Sequence, residues 1–374
     1  MTEVAVVGGG VMGASIAYHL AAAGIDDVVL YERVALASGP TGRSTALIRL
    51  HYSQPLLARM AAAGLALYSS SRAAVGFDSG FTRTGLLVGA PAEEHAALEH
   101  NVGVVRAEGT ESELLSPEDV ERLEPRLRTE GLVFAFEPGA GYCDPFLVTA
   151  GFAEAARRAG VSIRERRPVS SLEELDARVV VVAAGPWSPA LLRPADYELP
   201  IRVAPAEVGR FRLPPSFGSP PPAFADFTEA QLYFVPRDGG ILEVGGLDPE
   251  HAEHPIDPDE CPEGATRETL AEYRRGLVAR LAGAEQGHWR GSWSAVYDVT
   301  PDWHPLLGPV DGYDGLHLAT GGSGHCFKLA PAIGELVAGA ILGAPVGFAD
   351  VSSFSLSRFA AGREFTSSYG GNRA

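Results

Sequence analysis

The stretch VAVVGGGVMGASIAYHLAAAGIDDVVLYER, residues 4–33, decides the fold. Val4 to Val7 is a short β-branched run of the kind buried in parallel sheets. Gly8, Gly10 and Gly13 follow in GxGxxG spacing, then a helical pattern carried by Ile16 and Leu20 that stops at Gly24. A second apolar run, Val28 to Tyr31, ends on Glu32, 19 residues beyond Gly13. In such a unit the first glycine makes the tight turn, the second lets backbone approach a pyrophosphate, and the third lets helix pack on strand. The helix N-terminus offers unpaired N–H groups to phosphate, and an acid placed like Glu32 accepts from ribose hydroxyls. Strand, turn, helix, strand and acid together read as an ADP-binding unit, which makes this an α/β protein with a Rossmann-type domain.

The 374 residues are enough for more than one core, and 46% hydrophobic with 21% charged residues is an ordinary globular composition. A net charge of −17 argues against nucleic acid or an anionic membrane as partner. No apolar run approaches the roughly 20 residues that span a bilayer. Cys143, Cys261 and Cys326 are odd in number and widely spaced, which suggests neither a disulfide framework nor a CxxC metal site. The chain enters directly into EVAVVGGG with no basic leader, so a cytoplasmic location is expected. HAEH (251–254) and DPDEC (257–261) invite a metal reading, but both lie in a proline- and acid-rich stretch without ligand spacing. They read as solvated loop, and no metal is expected.

The fingerprint alone leaves NAD and FAD open. SGPTGRSTALIRLHYSQP (38–55) puts small polar residues and two arginines straight after the second strand. Arg43, Ser44 and Thr45 are candidates to hold phosphate or a cofactor ring edge, and Arg49 shares a face with Thr45 if the stretch is helical. GAGYCDP (139–145), RVVVVAAGPWSPAL (178–191), YFVPRDGGILEVGG (233–246), YDVTPDWHPLLGP (297–309) and LATGGSGHCFKLAPAIGELVA (318–338) follow. In this order they resemble the FAD-dependent amine oxidoreductases that include monomeric sarcosine oxidase, glycine oxidase, D-amino-acid oxidase and the dimethylglycine dehydrogenases. The resemblance covers nearly the whole chain, and its last motif is the most specific.

That resemblance implies FAD and a discontinuous FAD-binding domain at 1–80, 140–200 and 295–374. A mostly antiparallel α+β substrate domain takes 81–139 and 201–294. Proline-rich RLPPSFGSPPPAFADF (212–227) reads as a surface loop or lid, and the tail SSYGGNRA as frayed. The implied chemistry is hydride transfer to flavin N5 from the carbon bearing the amine of a small amino acid, N-methyl, secondary or primary. The product is an imine, and the electrons pass to oxygen or another acceptor.

Of the 30 lysine and arginine residues, only Lys328 is a lysine. GGSGHCFKLAPAIGELV reads as a glycine turn after a strand (Leu316 to Ala319), then a helix entered near Pro331, an arrangement of N–H groups suited to an anion. GGSGH falls one residue short of a GxSxG elbow because His325 replaces the last glycine, which disfavours an acyl-transfer serine. By resemblance, Gly322, Gly324, His325, Cys326 and Phe327 wrap the pyrimidine end of the flavin. Lys328 then points over it toward the substrate carboxylate, with Arg49 as second cation. A compact ammonium on a flexible stem reaches over a ring edge where a planar guanidinium would clash. His51, Tyr52 and Tyr233 are expected to line the pocket. The resemblance also assigns cofactor contacts to Val11, Met12, Arg33, Val169, Ala184, Gly185 and Trp187.

The chain departs from the pattern in two places. Ala295 and Leu47 stand where relatives attach flavin covalently, so the FAD is expected to be non-covalent. Glu243 stands nearest the place of the lysine that promotes oxygen reactivity in the oxidases related to sarcosine oxidase, so slow reaction with oxygen is expected. An aromatic-ring flavin monooxygenase would carry a Gly-Asp-Ala motif where TGGSGHCFK stands. A flavin-bearing β-type subunit of a heteromeric dehydrogenase, passing electrons to a partner, is the remaining alternative.

Overall fold

Strand Thr2–Val7 sits inside a six-stranded sheet in the computed structural model, which describes residues 2–193, 198–344 and 346–369. It pairs in parallel with Val28–Tyr31 on one side and Ala177–Val182 on the other. Ser162–Arg164 and Leu316–Thr320 extend the parallel set, and Leu306–Pro309 adds one antiparallel edge. Val4 and Val6 pack with Ile16 and Leu20, while Val7 packs with Val182, Leu191 and Leu192 in a separate cluster. With both faces covered, the strand has no use for polar alternation, which is why it reads as an unbroken apolar run.

Helix Val11–Ala22 packs against Pro145–Arg158 and Ala330–Leu342. The contact with the last is tight enough for Ser15 Oγ to donate to the Ala330 carbonyl at 2.8 Å. Asp144 starts the Pro145–Arg158 helix by accepting from the amides of Phe146 and Leu147 at 2.8 and 3.0 Å.

A second sheet has eight strands, in the order His288–Val299, Arg202–Arg212, Ile241–Gly246, Leu232–Arg237, Ala223–Asp226, Leu86–Pro91, Leu132–Glu137 and Glu113–Leu115. It is antiparallel except where Leu86–Pro91 runs alongside Ala223–Asp226. Phe134, Phe211, Phe224 and Phe234 form the centre of one core beneath it. The α/β class with a second, mostly antiparallel sheet is the architecture expected from sequence.

Three local expectations are corrected. Residues 45–49 are not helical: Ala46 is left-handed at φ 49°, and Leu47–Ile48 pairs with Gly141–Tyr142. Arg49 therefore leaves from the end of a strand, and its spacing from Thr45 has no helical meaning. The surface loop expected at 212–227 is confined to 213–222, because Ala223–Asp226 is a buried strand, and within the loop Phe217 is held by the Arg126 guanidinium 3.9 Å from its ring. The tail is docked as far as Tyr369, which is buried; the rest of it, 370–374, lies outside the described residues.

The docking begins at a buried ion pair. Arg358 donates to Asp302 at 2.7 and 2.8 Å and also to the carbonyls of Pro305, His304 and Phe354, while the Phe365 amide donates to Asp302 at 3.1 Å. Arg358→Leu leaves a buried carboxylate unpaired, so a stability loss of about 3–5 kcal/mol is expected in denaturant unfolding. The double variant with Asp302→Asn recovers part of that loss. A single-variant loss below about 1 kcal/mol, the range of surface pairs, contradicts the assignment.

Candidate active site

A cavity of about 570 Å³ opens at the carboxyl ends of the parallel strands and runs toward the second sheet. Gly8 follows Thr2–Val7 with φ 119°, and a Cβ there would sit 2.3 Å from the Ala183 carbonyl oxygen. A Cβ on Gly13 would meet the Gly8 carbonyl oxygen at 1.9 Å, so the third glycine acts in helix–strand packing and does not itself line the cavity. Gly10 is the N-cap of the helix, Val11 and Met12 begin it, and all three line the cavity.

Glu32 is fixed by two backbone amides, Gly9 to Oε2 and Val34 to Oε1, both at 2.8 Å. Its carboxylate faces the same cavity. Thr41, absent from the sequence-level candidates, accepts the Val11 amide at 3.1 Å and so shares the helix N-terminus. Only the fold brings it there, 30 residues along the chain.

Arg33, Val169, Ala184, Gly185 and Trp187 line this end of the cavity. Arg33 lies 3.9 Å over the Trp187 ring, and Asp259 takes both Arg33 at 3.0 Å and the Trp187 indole N–H at 2.9 Å. The DPDEC tract is exposed loop that is tied, through Asp259, to two residues lining the cavity. Of HAEH, the His251 side chain lies outside the described residues. Among the described residues, no three His, Cys, Asp or Glu side chains are grouped to hold a metal. Arg43 donates to the Ser294 carbonyl at 3.0 Å, and Ser44 accepts from the Ala46 amide at 2.9 Å. Both residues, with Thr45, line the middle of the cavity.

Gly322, Gly324, His325, Cys326, Phe327 and Lys328 line the far end. The turn is wound around buried Asp298, which accepts the Gly321 amide at 2.7 Å and the Thr320 hydroxyl at 3.2 Å. Ser323 inside it is left-handed at φ 47°. Tyr297, the first residue of YDVTPDWHPLLGP, also lines the cavity and closely underlies Gly324.

Lys328 is 5% exposed and donates to the His325 carbonyl at 3.0 Å. Helix Pro55–Ser69 supports it from behind: a Cβ on Gly64 would lie 1.9 Å from the Lys328 carbonyl oxygen, and Tyr68 donates to the Phe327 carbonyl at 2.8 Å. Burial, and then the Arg49 charge, hold the Lys328 ammonium well below the usual lysine range. Arg49 is 9% exposed, donates to the His51 carbonyl, and lies 4.4 Å over the Tyr52 ring.

His51 and Tyr233 line this end, whereas Tyr52 does not. Tyr52 is fully buried behind the lining, its hydroxyl 2.9 Å from His325 Nδ1, because the strand end at Ile48 turns it into the core. The histidines here are neutral: burial first, then nearby cations, take His51 to about 3 and His325 well below its usual value. Burial likewise takes His304 to about 4. Glu243 is absent from the lining and is held by Arg237 at 2.7 Å and Arg210 at 3.3 Å.

Glu137, a further residue not singled out from sequence, ends strand Leu132–Glu137 fully buried. Its Oε2 accepts the Leu50 amide at 2.8 Å, and its Oε1 has no hydrogen-bond partner. Burial lifts its carboxyl to about 7, against the Leu50 amide, Arg49 and Lys328, which lower it. Nothing in LVFAFE distinguishes this glutamate from a solvated strand end.

The donor set fits FAD. A glycine cradle without Cβ atoms meets a helix N-terminus, a carboxylate fixed by backbone amides stands beside them, and the cavity volume lies in the range of a cofactor site.

Comparison with known proteins agrees with this geometry. The family model described as DAO, FAD dependent oxidoreductase, matches residues 3–340. Glycine oxidase of Geobacillus kaustophilus is 29% identical over 95% of this chain and 97% of its own. Its crystal structure superposes with a TM-score of 0.80 over 96% and 98% of the two chains, at 25% identity. The 4-methylaminobutanoate oxidase (formaldehyde-forming) of Paenarthrobacter nicotinovorans is 28% identical over 95% of this chain, which spans only 45% of that protein. L-proline dehydrogenase from P. horikoshii shares the fold with a TM-score of 0.86 over 96% and 98% of the two chains, at 24% identity.

The Glu137 carboxyl gives a pH signature. The unfolded chain releases this proton near 4.5 and the folded chain near 7, so ionisation opposes folding. The wild type should lose stability relative to Glu137→Gln as pH rises from about 4.5 to about 7, with a constant difference above that window. Melting temperatures of the two proteins across pH 4–8 measure this, and a difference independent of pH contradicts it.

Proposed function

The chain belongs to the DAO family of FAD-dependent oxidoreductases, and from that premise we propose that it oxidises the C–N bond of a small amino acid. The observation that carries this reading is the pair of buried cations, Arg49 and Lys328, at one end of a cavity whose nearby histidines are neutral. A ligand carboxylate supplies the negative charge this end favours, and an amine on the adjacent carbon then lies over the glycine turn.

FAD, when bound, supplies the two-electron acceptor for the reaction. The protein's own part is positioning and electrostatics. Arg49 and Lys328 hold the carboxylate and so fix the α-carbon, which removes orientational freedom before reaction. Their charge also lowers the pKa of the substrate amine, which must lose its proton to react. The Tyr233 hydroxyl, 3.4 Å from Thr45 Oγ1 and facing the cavity, is placed to accept an amine hydrogen bond. Burial raises its pKa, so it stays a neutral phenol. Val88, Ala225, Phe227 and Leu247 give the same cavity an apolar side that excludes water.

The proposed cofactor attachment is non-covalent, since the cavity-lining positions Leu47 and Ala295 carry no nucleophile. Slow reaction with oxygen is proposed because Glu243 faces arginines and no second lysine exists.

Lys328→Met should keep FAD, because the turn acts through backbone groups, and should slow anaerobic flavin bleaching by amino acids about 30- to 1000-fold. Lys328→Arg should recover only part of this. Arg49→Met should behave similarly, and the double variant should fall short of additivity because both cations act on one carboxylate. Bleaching of Lys328→Met at the wild-type rate contradicts the proposal.

A further inference from the structure

We propose that Tyr369 is a positioning residue for substrate recognition: through His51 it holds the loop that aims Arg49. The proposal rests on the carboxylate-binding role of Arg49 argued above.

The segment 365–369 crosses the molecule under restraint at both ends. At its start the Phe365 ring stacks on His304 at 4.7 Å and 20°, and its amide donates to Asp302 at 3.1 Å. At its end the Ser368 amide donates to Ser53 Oγ at 2.9 Å, and Ser368 Oγ donates to Asn101 Oδ1 at 3.2 Å. Tyr369 then lies buried at 6% exposure, its ring stacked on His51 at 5.9 Å and 24° and packed against Phe227 at 4.8 Å.

These contacts converge on one short loop, at His51 and Ser53. His51 is held on one side by Tyr369 and on another by Asn101 Nδ2, 3.2 Å from its Nε2. The His51 carbonyl accepts from the Arg49 guanidinium. Ser53 is tied to the tail through Ser368 and, by its carbonyl, lies 3.3 Å from His100 Nε2. The loop that sets Arg49 has no regular secondary structure, so these side-chain contacts supply what a helix or sheet would otherwise supply. His51 and Phe227 line the cavity whereas Tyr369 does not, so its influence on a ligand passes through them.

Loss of the ring lets His51 shift, and the carbonyl that anchors Arg49 shifts with it. Recognition of charge should weaken while the FAD end of the cavity is untouched. Binding of benzoate and of isosteric, uncharged benzamide to the FAD-loaded full chain, followed by flavin absorbance, separates the two effects. The wild type should prefer benzoate. Tyr369→Ala should lower that preference about 3- to 10-fold, the size of one lost aromatic contact, with benzamide affinity and FAD retention unchanged. Tyr369→Phe, which keeps the ring, should restore it. If Tyr369→Ala does not hold FAD, Tyr369→Leu keeps most of the buried volume and carries the test with the same readings. An undiminished preference in the variant overturns this proposal alone, and an equal loss for both ligands shows a merely structural role and also overturns it. A wild type that does not prefer benzoate overturns this proposal together with the carboxylate reading beneath it.

Discussion

Two like charges in a water-poor cavity set the terms for everything else in this structure. The Arg49 guanidinium and the Lys328 ammonium lie on the same buried tyrosine, 4.4 and 6.0 Å from the Tyr52 ring centre. Burying one charge costs several kcal/mol even after the protein relaxes, and burying two of the same sign adds their repulsion. The fold holds them through carbonyl acceptors and packing. The His325 carbonyl takes the ammonium, the His51 carbonyl takes the guanidinium, and Gly64 lets a helix press against the Lys328 backbone. The proposed carboxylate site rests on this tension, with buried Glu137 as the protein's own acid beside the two cations.

The Gly8 and Glu32 end of the cavity obeys a different rule. Gly8, Glu32, Ala183 and Gly321 each stand just past the carboxyl end of a parallel strand. The sheet therefore collects, at one edge, groups that are far apart in sequence. Helix Val11–Ala22 begins at that edge, and helix Ala330–Leu342 packs against it along the same side. The strand before Lys328 and the strand before Gly8 belong to one sheet, so the cation pair and the glycine cradle share one rigid frame. The second sheet supplies the other wall through Tyr233, Ala225 and the Ala295–Tyr297 stretch.

Legibility in the sequence followed the range of the interaction. The glycine fingerprint, its flanking strands and the acid at Glu32 were readable because their chemistry is local and their spacing is fixed by one helix. The Lys328 turn was readable from composition, one lysine among many arginines, and from its resemblance to a known motif. What stayed hidden depends on distant partners. Residues 45–49 carry helix-compatible spacing, but pairing with Gly141–Tyr142 and a left-handed Ala46 override it. Tyr52 reads as a pocket residue until its hydroxyl is seen on His325, 273 residues away. The tail residues Ser367–Tyr369 look frayed because small polar residues carry no periodic signal, and only the folded surface around Ser53, Asn101 and His51 gives them a place.

The single lysine makes the buried ammonium directly measurable. Labelling the holoenzyme with lysine carrying 13C at Cε gives one side-chain resonance, and its pH titration reports the ionisation of Lys328 alone. A titration well below the ordinary 10.5, moving upward when a carboxylate ligand such as benzoate is added, is the predicted result. A titration at the ordinary value that ignores the ligand would mean a solvated ammonium, and would contradict a buried cation pair poised for a carboxylate.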